Sequence, residues 1–176
     1  MRLGKGKLSV LVLLLILQSC FIQPSESKPL NYSHFVFKAK VIRILDGDTM
    51  EVLYQNQPLK IRLAHIDCPE KRGHQPFGNN AKKALSDLCF GQMVNIQGQK
   101  YDRYKRLIAV IINRKRQVVN QEMIKQGLAW HFKKYSNDPL YAQLEIIARR
   151  KKLGLWQDAD AVAPWDWRAI KHASAK

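Results

Sequence analysis

Acidic residues are scarce in this chain of 176 residues. Asp and Glu number 14 against 30 Lys and Arg, which gives a formal net charge of +16. Such a surplus favours polyanionic partners: nucleic acid, an anionic membrane or an acidic polysaccharide. Charge alone does not choose between these three. Internal repeats and long low-complexity runs are also lacking, which argues against a repeat architecture.

Long apolar runs are absent as well. The longest, residues 8–17, has about ten residues, whereas a membrane-spanning helix needs about twenty. A basic head with Arg2, Lys5 and Lys7 precedes this run and a polar segment follows it. These are the parts of a secretory signal peptide. We therefore predict that residues 1–27 are a signal peptide and that the protein is exported, either secreted or periplasmic.

Two cleavage points are compatible with this segment. Small serines before Lys28 would place the cut there, leaving residues 28–176 as a single domain of ordinary size. Residues 17–20 are instead an imperfect lipobox, with an unusual Gln18, which would leave Cys20 lipidated and tether the protein to the cell envelope. We expect a monomer, and no protein partner is implied.

Cysteine is sparse, with three in the chain. Beyond the signal region only Cys68 and Cys89 remain. In an oxidising compartment these two could form a disulfide. The alternative is two free thiols, one of them buried in a helix.

The first half of the domain reads as β-sheet. Apolar residues alternate with lysine over residues 35–41, which predicts a first strand. Asp46-Gly47 lies between this strand and a second over residues 49–54, a strong hairpin signal. Three further strands are predicted over residues 59–66, 93–97 and 107–112.

Three helices are predicted among and after these strands. Apolar spacing indicates the first over residues 78–89. Asn120 can cap a second that ends at Gly127, and Asp138-Pro139 can begin a third that ends at Gly154. The fold class is therefore mainly β with helices (α+β): a five-stranded OB-fold-type barrel with three α-helices. The tail, residues 164–168, carries two tryptophans that we expect to pack on the barrel.

The stretch from Arg62 to Glu70 is unusual for a plain strand. An arginine lies inside an apolar run, and the carboxylates of Asp67 and Glu70 follow it, separated by a proline. Buried charges without partners are costly, so the pattern predicts a place where a cation and a phosphate meet. Asp48 stands one residue past the hairpin turn, where a strand disfavours Asp. Two carboxylates from adjacent strands are suited to calcium.

At this point the chain resembles the staphylococcal nuclease (thermonuclease) family across nearly all of residues 28–176. Several segments in the right order carry the resemblance: Asp46-Gly47-Asp48-Thr49, Arg62-Leu63 through Asp67-Cys68-Pro69-Glu70, Asp102-Arg103-Tyr104-Lys105-Arg106, and Val119-Asn120 through Gln126-Gly127-Leu128-Ala129. It implies a calcium-dependent nuclease that cleaves DNA and RNA with little base preference and leaves 3′-phosphates.

The resemblance also implies a role for individual residues. Asp48 and Asp67 would bind Ca²⁺, with the carbonyl of Cys68 as a third protein ligand. Arg62 and Arg106 would hold the phosphate, since a guanidinium can bond two of its oxygens at once.

Three other residues complete the implied site. Glu70 would serve as the general base. Tyr104 and Tyr135 would stack on or hydrogen-bond the nucleotide, although ordinary half-buried tyrosines are the alternative.

Two positions depart from the family pattern. Cys68 stands where its best-known member has Thr, and Lys105 where Gly is usual, just before Arg106. If position 105 needs a positive φ, lysine costs about 1 kcal/mol there. The rival interpretations are a barrel that binds nucleic acid without cutting it, and a basic envelope protein that needs no pairing of Asp48 with Asp67.

Overall fold

A computed structural model describes residues 36–174. The predicted signal segment, Cys20 included, lies outside the described residues. Residues 36–174 contain seven strands: β1 (Val36–Ile44), β2 (Thr49–Tyr54), β3 (Gln57–Leu63), β4 (Ile66–Asp67), β5 (Met93–Tyr101), β6 (Leu107–Ile112) and β7 (Trp130–His131). Five of them close a barrel in the order β1-β2-β3-β6-β5, while β4 and β7 pair separately. The predicted five-stranded barrel is confirmed.

The barrel closes through one parallel pair of strands. β3 and β6 run in the same direction, with Ile61 opposite Leu107 and Arg62 opposite Ile108, while the other barrel pairs are antiparallel. The hairpin between β1 and β2 is as predicted. The strand predicted over residues 59–66 is instead interrupted, because the chain turns at His65 with a φ of 70° before β4 begins.

Four α-helices accompany the barrel: α1 (Gly78–Cys89), α2 (Val119–Lys125), α3 (Pro139–Arg150) and α4 (Pro164–Ala173). The prediction of three was one short, since the tail forms α4 with Pro164 in its first turn and Asp166 near its positive end. Asp138 caps α3 as predicted, and its side chain accepts a hydrogen bond of 2.9 Å from the Leu140 amide. None of the helices in residues 36–174 is long and apolar enough to span a membrane.

The prediction that Asn120 caps α2 is wrong. Asn120 lies inside the helix and is fully buried. Its Oδ1 accepts from the Ile111 amide at 3.0 Å, and its Nδ2 donates to the carbonyls of Ala64 at 3.0 Å and Ala109 at 3.1 Å. A buried amide with such partners satisfies main-chain groups that would otherwise be costly. Asn120 therefore fastens α2 to β6 and to the loop after β3.

The core fills the barrel and continues beneath α1 and α2. Fully buried side chains include Ile61, Leu85, Ile111 and Met123. Cys68 and Cys89 are part of this core, and both are free thiols. Cys89 donates to the Leu85 carbonyl at 3.1 Å, and burial raises its pKa to about 12.

Candidate active site

Strand register brings Asp48 and Arg62 to one end of the barrel. Thr49, the first residue of β2, pairs with Arg62 near the end of β3. The Leu63 amide donates to the Asp48 carbonyl at 2.8 Å. β4 follows three residues after β3, so Asp67 reaches the same place.

Arg62 holds the two aspartates together through one guanidinium. Its Nη1 lies 3.1 Å from Oδ2 of Asp48, and its Nη2 donates to Oδ1 of Asp67 at 2.8 Å. The carbonyls of Leu63 and Ile66 accept from Nη1 at 3.1 and 3.0 Å. With 11% of its side chain exposed, Arg62 is an interior charge whose partners are all supplied by the barrel end. The structure therefore brings Asp48 and Asp67 to the same guanidinium.

Burial and charge oppose one another within this group. Burial by itself would lower the pKa of Arg62, but the carboxylates of Asp48 and Asp67 raise it. Burial raises the pKa of Asp67, and the neighbouring Asp48 adds to that rise against the opposing effect of Arg62. The charges of Arg62 and Arg168 thus favour the ionised form of Asp67 against the effect of burial.

Asp48 is also fixed by hydrogen bonds of its own. Its Oδ1 accepts from the Thr49 hydroxyl at 2.9 Å, and its Oδ2 accepts from the Cys68 amide at 2.9 Å. The turn before it presses on the same segment, because a Cβ at Gly47 would lie 2.8 Å from the Cβ of Cys68. The thiol of Cys68 belongs to the core, so residue 68 meets Asp48 through its main chain. Cysteine in place of Thr is therefore accommodated without loss of this contact.

Arg106 is held by its own loop. Asp102 accepts from Nε of Arg106 at 2.8 Å and lies 2.7 Å from its Nη2. The second oxygen of Asp102 accepts from the amides of Tyr104 at 2.9 Å and Arg106 at 3.0 Å. Burial would raise the pKa of Asp102, but the hydrogen bonds from Arg106 outweigh it and lower that pKa. Lys105 has a φ of 59°, as anticipated for a position where the family pattern has Gly.

Arg106 also reaches the aspartates through one intermediate. Its Nη1 lies 3.5 Å from Oγ1 of Thr49, the hydroxyl that bonds Asp48. This contact is long, and it links the loop to the barrel end only weakly.

Glu70 lies just beyond β4 and is bound by a residue that sequence reasoning missed. Arg168, on α4, contacts Oε1 of Glu70 through Nη1. The same guanidinium donates from Nη2 to Oδ2 of Asp67 at 2.6 Å. One continuous set of contacts therefore links the predicted site residues, and Arg168 is its added member. The other members are Glu70, Asp67, Arg62, Asp48, Thr49 and Arg106.

The two tyrosines occupy different surroundings. Tyr104 is 62% exposed, and the guanidinium of Arg106 lies 5.5 Å from its ring centre, so it stands at the edge of the site. Tyr135 is 68% exposed and packs edge-on against Phe132 with ring centres 4.8 Å apart. Neither is half-buried. Phe132 in turn lines a cleft of about 540 Å³ that also includes Arg168.

A family model described as staphylococcal nuclease homologue matches residues 60–158. The chain belongs to the staphylococcal nuclease family.

Individual relatives agree with this assignment. A Haemophilus influenzae protein named as an endonuclease is 45% identical over 130 residues, which cover 73% of this chain and 71% of the relative. A micrococcal nuclease of Shigella flexneri is 40% identical over 150 residues, 78% of this chain and 84% of its own. A staphylococcal-like nuclease of Arabidopsis thaliana is 33% identical over 139 residues, 78% of this chain and 41% of its own. The predicted family and enzyme class, a hydrolase of the endonuclease type, are confirmed.

A metal ion suits the donor chemistry of this nuclease-family site. A carboxylate has about four lone-pair sites, and both Asp48 and Asp67 use three, counting contacts with Thr49, Cys68, Arg62 and Arg168. Each could give an oxygen to a hard cation without losing its present bonds. Within residues 36–174 no three His, Cys, Asp or Glu side chains are grouped to hold a metal. A cation here would therefore rely on the two aspartates with main-chain carbonyl and water oxygens.

In the sequence, the only signals that bear on Arg168 are those that predict the helix in which it lies. Pro164 and Asp166 are helix-start signals, and they place Arg168 one turn into α4. The family match ends at residue 158, so no family motif points to it. Its partners, Asp67 and Glu70, are 101 and 98 residues away in the chain.

Proposed function

We propose that this protein is an exported, calcium-dependent nuclease that hydrolyses phosphodiester bonds of DNA and RNA with little sequence preference. By family resemblance the products end in 3′-phosphates. The observation that carries the proposal is the single contact set linking Asp48, Asp67 and Glu70 with Arg62 and Arg106 at one end of the barrel. The carboxylates of Asp48, Asp67 and Glu70 repel phosphate. A protein of net charge +16 that only bound nucleic acid would therefore have no use for them at its binding site.

Two arginines would bind the scissile phosphate. Arg62 commits Nη1 and Nη2 to its neighbours, while its Nε bonds none of the residues from 36 to 174 and can donate to a phosphate oxygen. Arg106 has Nε and Nη2 on Asp102, and among residues 36–174 this leaves Nη1 with only its long contact to Thr49. Charge gathers on the phosphate oxygens as hydrolysis proceeds, so donors fixed in advance stabilise the transition state more than the ground state.

Asp48 and Asp67 would hold calcium, together with the carbonyl of Cys68. When bound, calcium supplies positive charge to the phosphate and a place for the attacking water. Glu70 would orient that water and accept its proton. Its Oε1 is engaged by Arg168, whereas Oε2 bonds to none of the described residues. General-base help of this kind contributes roughly 10²–10⁴-fold in rate.

A chelator titration tests the metal requirement. We expect cleavage of DNA and RNA to stop on chelation and to return with calcium but not with magnesium, because a site of two carboxylates, carbonyl and water suits the larger, more flexible ion. Activity that survives chelation would refute calcium dependence. Mass analysis of the product ends would separately test the 3′-phosphate.

Glu70→Gln tests the base. The amide keeps the size of the side chain and cannot accept the proton, so turnover should fall by roughly 10²–10⁴-fold while nucleic-acid binding persists. Asp48 and Asp67 are unchanged in this variant, so a fall in turnover can be assigned to Glu70 and not to loss of the metal. Turnover equal to the parent protein would exclude Glu70 as the base.

The proposal of export rests on the sequence of residues 1–27 alone. We expect the protein outside the cytoplasm and, in the simpler case, a mature N-terminus at Lys28. Mass spectrometry of the mature protein distinguishes this from a lipidated Cys20 tethered to the envelope. A protein retained in the cytoplasm with Met1 intact would refute export.

A further inference from the structure

The C-terminal segment contacts the loop that carries Glu70 at three separate points. This segment, residues 162–168, will be called the C-terminal clamp. It begins after residue 158, where the family match ends, and it includes the first half of α4. We propose that the C-terminal clamp positions Glu70 for catalysis and that Arg168 is its principal positioning residue. The proposal rests on the proposed role of Glu70 as general base.

The first contact is made by Arg168 to carboxylates. One guanidinium bonds Oε1 of Glu70 and Oδ2 of Asp67, and its Nη1 also lies 3.4 Å from Oδ1 of Asp67. Asp67 is 1% exposed in its side chain and is fixed by Arg62, so it serves as an immobile anchor. Because Arg168 bonds both carboxylates, it holds Glu70 at a fixed position relative to Asp67. A planar guanidinium suits this task, because it can bond two carboxylates at once.

The second contact fixes the main chain of Glu70. The side chain of Gln75 accepts from the Glu70 amide at 2.9 Å and donates from Nε2 to the Val162 carbonyl at 2.8 Å. The Gln75 amide donates to the Glu70 carbonyl at 3.2 Å. Gln75 is 6% exposed, and a buried amide with both ends bonded is strongly fixed. Glu70 is thus held at its backbone as well as at its carboxylate.

The third contact lies on the turn between Glu70 and Gln75. A Cβ at Gly73 would lie 3.6 Å from Nε1 of Trp167, so α4 packs over this turn. The clamp has its own attachment to the barrel side, since Trp165 stacks on Phe132 with ring centres 5.3 Å apart and planes 2° apart. Pro164, which begins α4, is buried. The clamp is therefore seated independently of its contacts to Glu70.

The loop needs such support because it has little of its own. Residues 71–74 are all exposed, and Gly73 and His74 have φ values of 87° and 57°. Exposed turns with few buried contacts open readily. A general base must be held within a fraction of an ångström of its productive position. The C-terminal clamp supplies the restraint that the loop lacks.

Arg168→Ala in two backgrounds tests the proposal. In the parent protein we expect turnover on single-stranded DNA to fall roughly 10²-fold with little change in KM, because the base is misplaced while phosphate binding by Arg62 and Arg106 persists. In the Glu70→Gln background, at saturating calcium so that the contact of Arg168 with Asp67 does not limit metal binding, the same change should cost no more than about twofold, since Arg168 acts through Glu70. Arg168→Lys should recover part of the loss.

Arg150→Ala is the matched control. It removes the same side chain and charge from an exposed position on α3, and turnover should stay at the parent level. A reading independent of catalysis comes from hydrogen exchange of the calcium-free protein. In Arg168→Ala the amides of residues 70–75 should exchange faster, while those of β5 and β6 remain unchanged.

Several outcomes would overturn the proposal. A loss from Arg168→Ala that is equally large with and without Glu70 would show that Arg168 acts through Asp67 or the substrate and not through Glu70. A rise in KM at unchanged turnover would make Arg168 a substrate-binding residue. Unchanged exchange of residues 70–75 would show that the loop does not depend on it. If Arg168→Ala fails to fold, Gln75→Ala gives the same test at the main chain of Glu70. Full activity of Glu70→Gln would instead exclude Glu70 as the base, and hydrogen exchange would still decide whether the clamp holds the loop.

Discussion

Arg62 and Arg106 carry the same chemical group in two very different settings. Arg62 lies within β3 with 11% of its side chain exposed and bonds two aspartates and two carbonyls. Arg106 follows a surface loop with 27% of its side chain exposed, and its short contacts are all to Asp102. The first is fixed by the closure of the barrel. The second is fixed by a turn of five residues.

Because of this difference, we expect Arg62 to contribute to stability as well as to function, and Arg106 to contribute to function with little effect on stability. Removing Arg62 would leave two buried carboxylates without their shared partner, so the fold itself depends on it. Removing the Arg106 side chain would leave Asp102, which has 18% of its side chain exposed, with its main-chain hydrogen bonds and with water at little cost. An arginine held by a local loop can exchange its partner for a phosphate, whereas Arg62 can only add the phosphate to its existing bonds.

The largest expected effect comes from Arg62→Ala. We expect nuclease activity to vanish and the free energy of unfolding to fall by about 3–5 kcal/mol, because a buried ion pair is broken on one side. Urea unfolding followed by tryptophan fluorescence measures the second quantity. A loss below about 1 kcal/mol would show that Asp48 and Asp67 do not need Arg62 to remain buried.

Arg106→Ala should break activity without breaking the fold. Turnover is expected to fall strongly, since one preorganised donor is worth about 10²–10³-fold, while the free energy of unfolding changes by about 1 kcal/mol or less. Parallel kinetics and urea unfolding test both expectations. A stability loss as large as that of Arg62→Ala would erase the contrast between the two arginines.

The smallest effect is expected from Lys105→Gly. Relief of the left-handed backbone should stabilise the protein by at most about 1 kcal/mol, with turnover nearly unchanged because Asp102 still holds Arg106. Arg116→Gly is the matched control, since Arg116 has a φ of 62° in a turn that is not part of the site. A large rise in turnover for Lys105→Gly alone would mean that lysine displaces Arg106 from its best position.

Local sequence signals predicted most of the fold. The Asp46-Gly47 hairpin, the bounds of α1 and β6, and the Asp138 cap of α3 all follow from neighbours within one turn or one strand. The prediction that Asn120 caps α2 was wrong because it rested on local signals of the same kind. An asparagine before an apolar run signals a cap, but here its amide bonds three main-chain groups outside the helix, two on β6 and one in the loop after β3.

The residues of the candidate site also fall into two groups: those that the sequence pattern predicts and those that only tertiary packing brings to the site. Asp48, Arg62, Asp67, Glu70 and Arg106 could be named because the family pattern supplies them, and the barrel brings their contacts into one set. Arg168 and Gln75 could not be named. Arg168 meets Asp67 and Glu70 only through the packing of α4, and Gln75 works by bonding main chain at both ends, which leaves no trace in residue type.

Gly78 shows that the segment bearing Glu70 is also limited by steric room. A Cβ at this position would lie 2.6 Å from the carbonyl oxygen of Glu70 and 2.9 Å from the amide of Lys71. Alanine is better than glycine in a helix by about 1 kcal/mol, yet here its methyl group would push that carbonyl aside. α1 therefore begins with a poor helix former, because the carbonyl oxygen of Glu70, eight residues upstream, leaves no room for a side chain at residue 78.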